Sequence, residues 1–84
     1  MYKIIMPKLG MTMKSGFVVK WYKKEGEKVA KEEPLFDVES GKIINEVKSP
    51  VNGFIKKIFA IENKEYKVGE VIALIAETEV ELTE

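Results

Sequence analysis

Gly16-Phe17-Val18-Val19-Lys20 and Gly53-Phe54-Ile55-Lys56-Lys57 lie 37 positions apart and share one pattern of glycine, apolar residues and a closing lysine. Outward at the same offset, Tyr22 meets Phe59, Glu25 meets Glu62, Glu33 meets Glu70, Leu35 meets Ile72 and Val38 meets Ile75. The chain is therefore an internal repeat of two similar halves. Each half supplies about four short strands, too few to bury two faces alone, so the halves must pack on one another.

Short apolar runs alternate with turn signals such as Asn52-Gly53 along the chain. The runs are rich in β-branched and aromatic residues, and no window shows a helical period. We therefore predict an all-β fold, a flattened β-barrel or sandwich of two small antiparallel sheets with internal pseudo-twofold symmetry. This symmetry places the hairpin that contains Lys42 at one end and the two termini at the other. Tyr22, Phe36 and Phe59 alternate with core positions and are expected to be partly exposed.

The composition excludes several classes of function. The 84 residues suffice for one small domain, and 14 acidic residues balance 14 basic residues, all of them lysine. Without net charge or arginine, neither nucleic acid nor an acidic membrane surface is an expected partner. The chain has no Cys and no His, so disulfides, a catalytic thiol, the commonest general base and the commonest metal ligands are missing. We expect no metal site.

The chain lacks signals for export or membrane insertion. No apolar run approaches the roughly 20 residues of a membrane span, and the N-terminus has no secretory pattern. We expect a domain of the bacterial-type cytoplasm or an organelle matrix, not a secreted protein. The domain is predicted to cover residues 1–76, and residues 77–84, where Glu alternates with small or apolar residues, are predicted to be an acidic tail or the start of a linker.

Val38-Glu39-Ser40-Gly41-Lys42-Ile43-Ile44 joins the two halves as two strand-like ends around a short polar turn. An exposed lysine is protonated at neutral pH and is a poor nucleophile, so no catalytic residue is expected here. What Lys42 offers is a flexible stem ending in an amine that a second enzyme can acylate. Gly41 tolerates the positive φ that tight two-residue turns require. The turn alone also fits an ordinary polar hairpin, but its place near the midpoint of the repeat favours an attachment site.

The two halves differ in one loop. Pro7 and Gly16 are nine positions apart, whereas the matching Pro50 and Gly53 are three apart. The first half therefore carries an insertion made of Leu9, Gly10, Met11, Thr12, Met13 and Lys14. A loop longer than its symmetry mate is either tolerated drift or a recognition feature.

The chain resembles the lipoyl domains of dihydrolipoamide acyltransferases, which belong to the biotinyl/lipoyl attachment family. The resemblance covers about residues 2–76. It is carried by Met6-Pro7-Lys8-Leu9-Gly10, Gly16, Val19-Lys20-Trp21, Lys24-Glu25-Gly26-Glu27-Lys28-Val29, Leu35, Val38-Glu39-Ser40-Gly41-Lys42-Ile43, Ser49-Pro50-Val51-Asn52-Gly53 and Val68-Gly69. Lys42 takes the place of the lysine in the family's tip pattern, Glu-Thr-Asp-Lys-Ala.

The resemblance implies a non-catalytic carrier of a 2-oxo-acid dehydrogenase complex, monomeric when isolated. Lipoate would be attached to Lys42 as an amide by a lipoate ligase or lipoyl transferase. The arm would carry acyl groups and reducing equivalents between a thiamine-diphosphate 2-oxo-acid decarboxylase, an acyltransferase core and dihydrolipoamide dehydrogenase. The residues implied in modification or partner recognition flank the lysine (Glu39, Ser40, Gly41 and Ile43) or form the long loop (Leu9, Gly10, Met11, Thr12, Met13 and Lys14).

Three positions depart from the family pattern. Gly41 replaces the usual Asp and Ile43 replaces the usual Ala, both beside the lysine. Glu32 occupies a turn position where the family often has Gly, and its symmetry mate is Gly69. If that turn requires a positive φ, Glu32 costs roughly 1 kcal/mol. The run of residues 6–13 looks more like pyruvate and acetoin dehydrogenase systems than 2-oxoglutarate or branched-chain ones.

Three other functions use the same fold. A biotin carrier places Met on both sides of its lysine, whereas Gly41 and Ile43 flank Lys42 here. A glycine-cleavage carrier is usually longer than this chain. In an unmodified interaction module, Lys42 would be only a turn residue.

Overall fold

The computed structural model describes residues 1–83, which form eight strands and one short helix. The elements are β1 (Tyr2–Ile5), β2 (Ser15–Trp21), β3 (Lys28–Val29), β4 (Pro34–Ser40), β5 (Ile43–Lys48), β6 (Gly53–Ile58), β7 (Lys64–Lys67), β8 (Val71–Ala76) and α1 (Glu79–Thr83). They build two four-stranded antiparallel sheets, ordered β1-β8-β6-β3 and β5-β4-β2-β7. The predicted all-β fold of two small antiparallel sheets is confirmed. None of the helices in this part of the chain is long and apolar enough to cross a membrane.

The internal repeat reappears as paired contacts between the two halves. The backbone N–H of Trp21 donates to Oε2 of Glu62 at 2.8 Å, and the backbone N–H of Ile58 donates to Oε2 of Glu25 at 2.8 Å. In each half, the last residue of the central strand thus donates its backbone N–H to a carboxylate of the other half. The hydrogen-bond registers of β2 and β6 also shift at equivalent places, after Val18 in β2 and 37 positions later in β6. These reciprocal bonds give the pseudo-twofold symmetry a physical basis.

The core lies between the two sheets. Its buried apolar side chains are Ile4, Met6, Met13, Val18, Val29, Leu35, Phe36, Val38, Ile55, Ala60, Ile72, Ala73 and Ile75. Within each sheet, a repeated glycine lets two neighbouring strands approach closely. A Cβ on Gly16 of β2 would lie 2.7 Å from Cγ1 of Val38 on β4, and a Cβ on Gly53 of β6 would overlap the carbonyl oxygen of Ala76 on β8. A side chain at Gly16 would have to displace neighbouring side chains, and one at Gly53 would have to displace the backbone of β8.

One buried residue departs from the expected alternation. Phe36 is fully buried, whereas Tyr22 is 39% exposed and Phe59 is 44% exposed. The expected partial exposure of Phe36 is therefore wrong, and that of the other two rings is confirmed. The register of β4 against β5 shifts between Pro34 and Phe36, so Leu35 and Phe36 both enter the core. A β-bulge breaks the period of two on which such sequence arguments rest.

The two termini meet at one end of the domain. The Met1 ammonium contacts Oε2 of Glu81 at 3.1 Å, and Nζ of Lys56 donates to the carbonyl oxygens of Glu81 at 2.7 Å and Leu82 at 3.1 Å. The helix α1 falls in the segment predicted to be an acidic tail, and no helix was expected there. Its five residues show no apolar period and are held by these contacts at their last turn. The role of residues 77–84 as a linker start stays a prediction.

The turn between β3 and β4 carries backbone strain. Glu32 has a φ of 75°, and Gly69, its repeat mate, has a φ of 94°. Their backbone N–H groups donate to equivalent carbonyl oxygens, Glu32 to Ser49 at 2.7 Å and Gly69 to Met6 at 3.0 Å. The condition for strain at Glu32, a turn that imposes a positive φ, is therefore met. The same turn therefore occurs twice, once with Gly69, which adopts a positive φ without strain, and once with Glu32, which does not.

Gly53→Ala is expected to lower the free energy of unfolding by roughly 1–3 kcal/mol or more, because the new methyl group must displace the backbone of β8. Denaturant unfolding measures the loss. Gly10→Ala is the matched control, since a Cβ there meets no atom within 4 Å. Equal stability of the two variants would contradict the close approach of β6 and β8.

Glu32→Gly is expected to raise the free energy of unfolding by roughly 0.5–1 kcal/mol. Relief of about 1–2 kcal/mol of left-handed strain exceeds the glycine entropy cost of about 0.5–1 kcal/mol. Thermal and denaturant unfolding test the gain. Lys31→Gly in the same turn adds the entropy cost without relieving strain, so it should destabilise; a gain from both variants would refute the strain argument.

Candidate functional site

A tight hairpin presents Lys42. The pairing of β4 with β5 continues to Ser40 opposite Ile43, so Gly41 and Lys42 form a two-residue turn. Gly41 has a φ of 63°, while Lys42 does not have a positive φ, which is the pattern of a type II′ turn with glycine in its first central position. The positive φ expected at Gly41 is confirmed. Lys42 is exposed, and no described residue forms an ion pair or hydrogen bond with its ammonium.

The residues beside the lysine divide between the two faces of this sheet. Glu39 lies opposite Phe17 on β2 and opposite Ile44 on β5, so these three side chains share the outer face. Ile43 and Ser40 lie opposite each other on the inner face, which continues inward to the core. Ile43 is 63% exposed and Ile44 is 58% exposed. Beside the turn, one exposed isoleucine side chain therefore lies on each face of the sheet, Ile43 on the inner face and Ile44 on the outer face.

The long loop packs against this hairpin. Together they line a cavity of about 280 Å³, here named the tip cleft. Its walls are Leu9, Gly10, Thr12, Met13, Lys14 and Ser15 from the loop and Ser40, Ile43 and Asn45 from the hairpin. The two groups of residues that the sequence singled out, far apart in the chain, are thus neighbours in space. Their roles in modification and recognition stay predictions.

Two methionines of the loop have opposite environments. Met11 is 95% exposed, whereas Met13 is 9% exposed and belongs to the core. The backbone N–H of Met13 donates to the carbonyl oxygen of Gly10 at 3.2 Å, and that of Leu9 donates to Sδ of Met13 at 3.3 Å. Met13 therefore anchors the loop from below. Of the two, only Met11 exposes its side chain to solvent.

Sequence reasoning missed two residues of the cleft, Ser15 and Asn45. Asn45 follows Ile43 by two positions on β5, so both side chains face the same way. This period of two was the available signal once Ile43 was a candidate. Ser15 precedes Gly16 at the start of β2, and its hydroxyl donates to Oε2 of Glu65 at 2.5 Å. Nothing in the sequence indicated that Ser15 lies near the Lys42 turn, because that proximity depends on how the long loop folds back.

Tyr22 and Glu33, whose pKa values are clearly shifted, lie outside the turn and the loop. The side-chain hydrogen bond from the Tyr22 hydroxyl to Asp37, 2.8 Å long, raises the pKa of Tyr22. The backbone N–H of Ala30 donates to Glu33 at 2.7 Å and, with the Lys23 ammonium, lowers the pKa of Glu33. Both reflect local strand and turn contacts. In residues 1–83 no three acidic side chains gather where they could hold a metal ion.

Comparisons with known proteins agree with the two-sheet fold described above. The family model described as "Biotin-requiring enzyme" matches residues 2–75. The solution structure of the lipoyl domain of the 2-oxoglutarate dehydrogenase complex from Azotobacter vinelandii is similar with a TM-score of 0.77 and 30% sequence identity. That similarity covers 92% of this chain and 98% of the solved one.

Longer proteins contain a matching segment. The dihydrolipoyllysine-residue succinyltransferase component of the 2-oxoglutarate dehydrogenase complex of Rickettsia bellii is 44% identical over 77 residues, which are 92% of this chain and 19% of that protein. The chloroplastic acetyltransferase component 4 of the pyruvate dehydrogenase complex of Arabidopsis thaliana is 43% identical over 82 residues, 98% of this chain and 17% of that protein. This chain thus spans less than a fifth of their length. Because both complexes match alike, the preference for pyruvate and acetoin systems stays a prediction.

Gly41→Ala is expected to lower the free energy of unfolding by about 1–2 kcal/mol, because an alanine side chain opposes the positive φ of the turn. Gly41→Asn is the matched variant, since asparagine adopts this conformation more readily than alanine. Denaturant unfolding ranks the three proteins. An alanine variant as stable as the parent would show that the turn does not need its glycine.

Proposed function

The chain belongs to the biotinyl/lipoyl attachment family, as one of its lipoyl domains, and from this premise we propose that lipoate is joined by an amide bond to Nζ of Lys42. The observation that carries the proposal is the exposed Lys42 at the tip of a two-residue turn. Its neighbour Gly41 has no side chain, and a Cβ there would meet no atom within 4 Å. The amine is therefore open to a modifying enzyme from that side.

The residues at the tip fit this group chemically. Acylation of an ε-amine needs an accessible nitrogen that is not held by a carboxylate, and Lys42 meets both conditions among the described residues. When attached, lipoate supplies a dithiolane that can be reduced and acylated and can pass the acyl group to a thiol. The protein's part is to hold the attachment point on paired strands, away from the core. The domain itself carries the group and performs no catalysis.

The partners follow from this role. We infer that a lipoate ligase or lipoyl transferase modifies Lys42. A thiamine-diphosphate 2-oxo-acid decarboxylase, an acyltransferase core and dihydrolipoamide dehydrogenase then share the arm. The relatives are components of such complexes in bacteria, mitochondria and chloroplasts, which supports a bacterial cytoplasm or an organelle matrix. Glu39, Ser40, Ile43 and the exposed residues of the long loop surround the lysine and are the proposed surface that modifying and acylating enzymes recognise.

Biotin is the alternative group for the same lysine, because the matching family model is described as biotin-requiring. The local sequence favours lipoate. Biotin carriers resemble one another in placing Met on both sides of the lysine, and this chain has Gly41 and Ile43 there. This difference lies at the two positions closest to the modified atom, where an attaching enzyme must make contact.

Coexpression with a lipoate ligase and supplied lipoate is expected to add one lipoyl group to the intact mass of the domain. Lys42→Ala should abolish the addition, and Lys48→Ala, an exposed lysine at the far end of β5, should leave it unchanged. Mass spectrometry of the intact protein reads all three. A biotin-sized addition with a biotin ligase would replace lipoate by biotin, and a folded domain that accepts neither group would refute the carrier role.

A further inference from the structure

The tip cleft lies where the arm on Lys42 can reach it. Its hairpin wall begins at Ile43, the residue directly after the lysine, and continues to Asn45 on the same face of β5. Its volume of about 280 Å³ is close to the lower end of the ~300–1,000 Å³ range of small-molecule sites. We propose that the tip cleft is a resting site for the lipoyl arm, so that the arm divides its time between this cleft and solvent. This inference rests on the proposed function.

The apolar side of the cleft suits an alkyl chain. Leu9 is 44% exposed and Ile43 is 63% exposed, and Met13 forms the buried floor. Exposed apolar side chains gain free energy when another apolar group covers them. An eight-carbon acid joined to the neighbouring residue is the nearest group able to do so. The branched side chain of Ile43 provides much of this apolar wall.

The polar side suits an amide. The side chains of Thr12, Ser40 and Asn45 line the cleft, and none of them has a hydrogen-bond partner among residues 1–83. Ser40 and Asn45 are only partly exposed, so their polar atoms gain from a partner within the cleft. The amide that joins the arm to Lys42 brings one N–H donor and one carbonyl acceptor. The Asn45 side chain can both accept and donate, and therefore can satisfy both.

The charge of Lys42 determines whether its side chain is accepted in the tip cleft. Lys14 also lines the cleft, and no described carboxylate pairs with Lys14 or Lys42. A free Lys42 ammonium entering the cleft would lose solvent beside a like charge, which is unfavourable. Amide formation removes the charge of Lys42. The cleft is therefore expected to hold the arm only after modification.

The tether makes a weak contact sufficient. A short flexible linker keeps its end at an effective concentration in the millimolar range, so a site of low affinity is still partly filled. The same low affinity lets the arm leave quickly when an enzyme presents a better site. Resting in the cleft would shield the dithiolane from small reagents without trapping it. The fraction at rest is then a property of the domain that sequence changes at Ile43 can tune.

The test uses the domain after mass spectrometry has shown complete lipoylation. With methyl labelling of Met, Leu and Ile, nuclear Overhauser contacts are expected between the arm and the methyl groups of Met13 and Ile43. Ile43→Ala should lower the equilibrium constant between the resting and the free arm at least about fourfold, the factor for one buried methylene. The rate at which a water-soluble phosphine reduces the dithiolane should rise accordingly.

Ile44→Ala is the matched control, because Ile44 is similarly exposed on the opposite face of the same strand. It should leave both the contacts and the reduction rate unchanged. A lipoylated domain without contacts to the cleft, or equal effects of the two substitutions, would overturn the resting site while leaving the carrier function intact. A mass without any lipoyl addition would instead overturn the carrier function, and the resting site with it.

Discussion

The packing at Gly16 connects the parts of the domain on which its proposed function depends. A Cβ at this position would lie 2.7 Å from Cγ1 of Val38 and 2.9 Å from the methyl carbon of Met13. Val38 belongs to the strand that ends at the Lys42 turn, and Met13 anchors the long loop. One missing side chain therefore lets β2, the hairpin and the loop approach together. A side chain at this position would have to displace the side chains of Val38 and Met13, which belong to the hairpin strand and to the loop beside the tip cleft.

The equivalent glycine of the second half makes the same kind of close strand contact, but the chain that follows it connects differently. Gly53 brings β6 against β8 as Gly16 brings β2 against β4. Where β4 turns through Gly41 into β5, the equivalent chain after β8 enters α1, and β1 from the opposite terminus fills the place beside β8. A symmetric framework thus yields one closed hairpin and one pair of chain ends. The asymmetry that matters for function comes from connections, not from the core.

Features with a local cause were predictable from the sequence, and features with a nonlocal cause were not. The positive φ at Gly41 and at Glu32 followed from turn chemistry and from the repeat, because both depend on a few neighbouring residues. The burial of Phe36 depended on a bulge in the pairing of β4 with β5, which no alternation pattern contains. The burial of Met13 depended on how the long loop folds onto the core. The place of Asn45 in the cleft became visible only when the loop supplied the other wall.

Charge and exposed apolar surface assign different tasks to the domain and to its tether. The chain has no net charge and no arginine, so long-range attraction cannot bring partners to it quickly. Met11, Ile43 and Ile44 instead expose apolar surface around the lysine, which acts only at contact. Under the proposed function, a tether within a larger assembly holds the domain near its partners instead. The surface around the tip needs only to discriminate among partners already nearby, and contact between shaped apolar surfaces suits that task better than net charge.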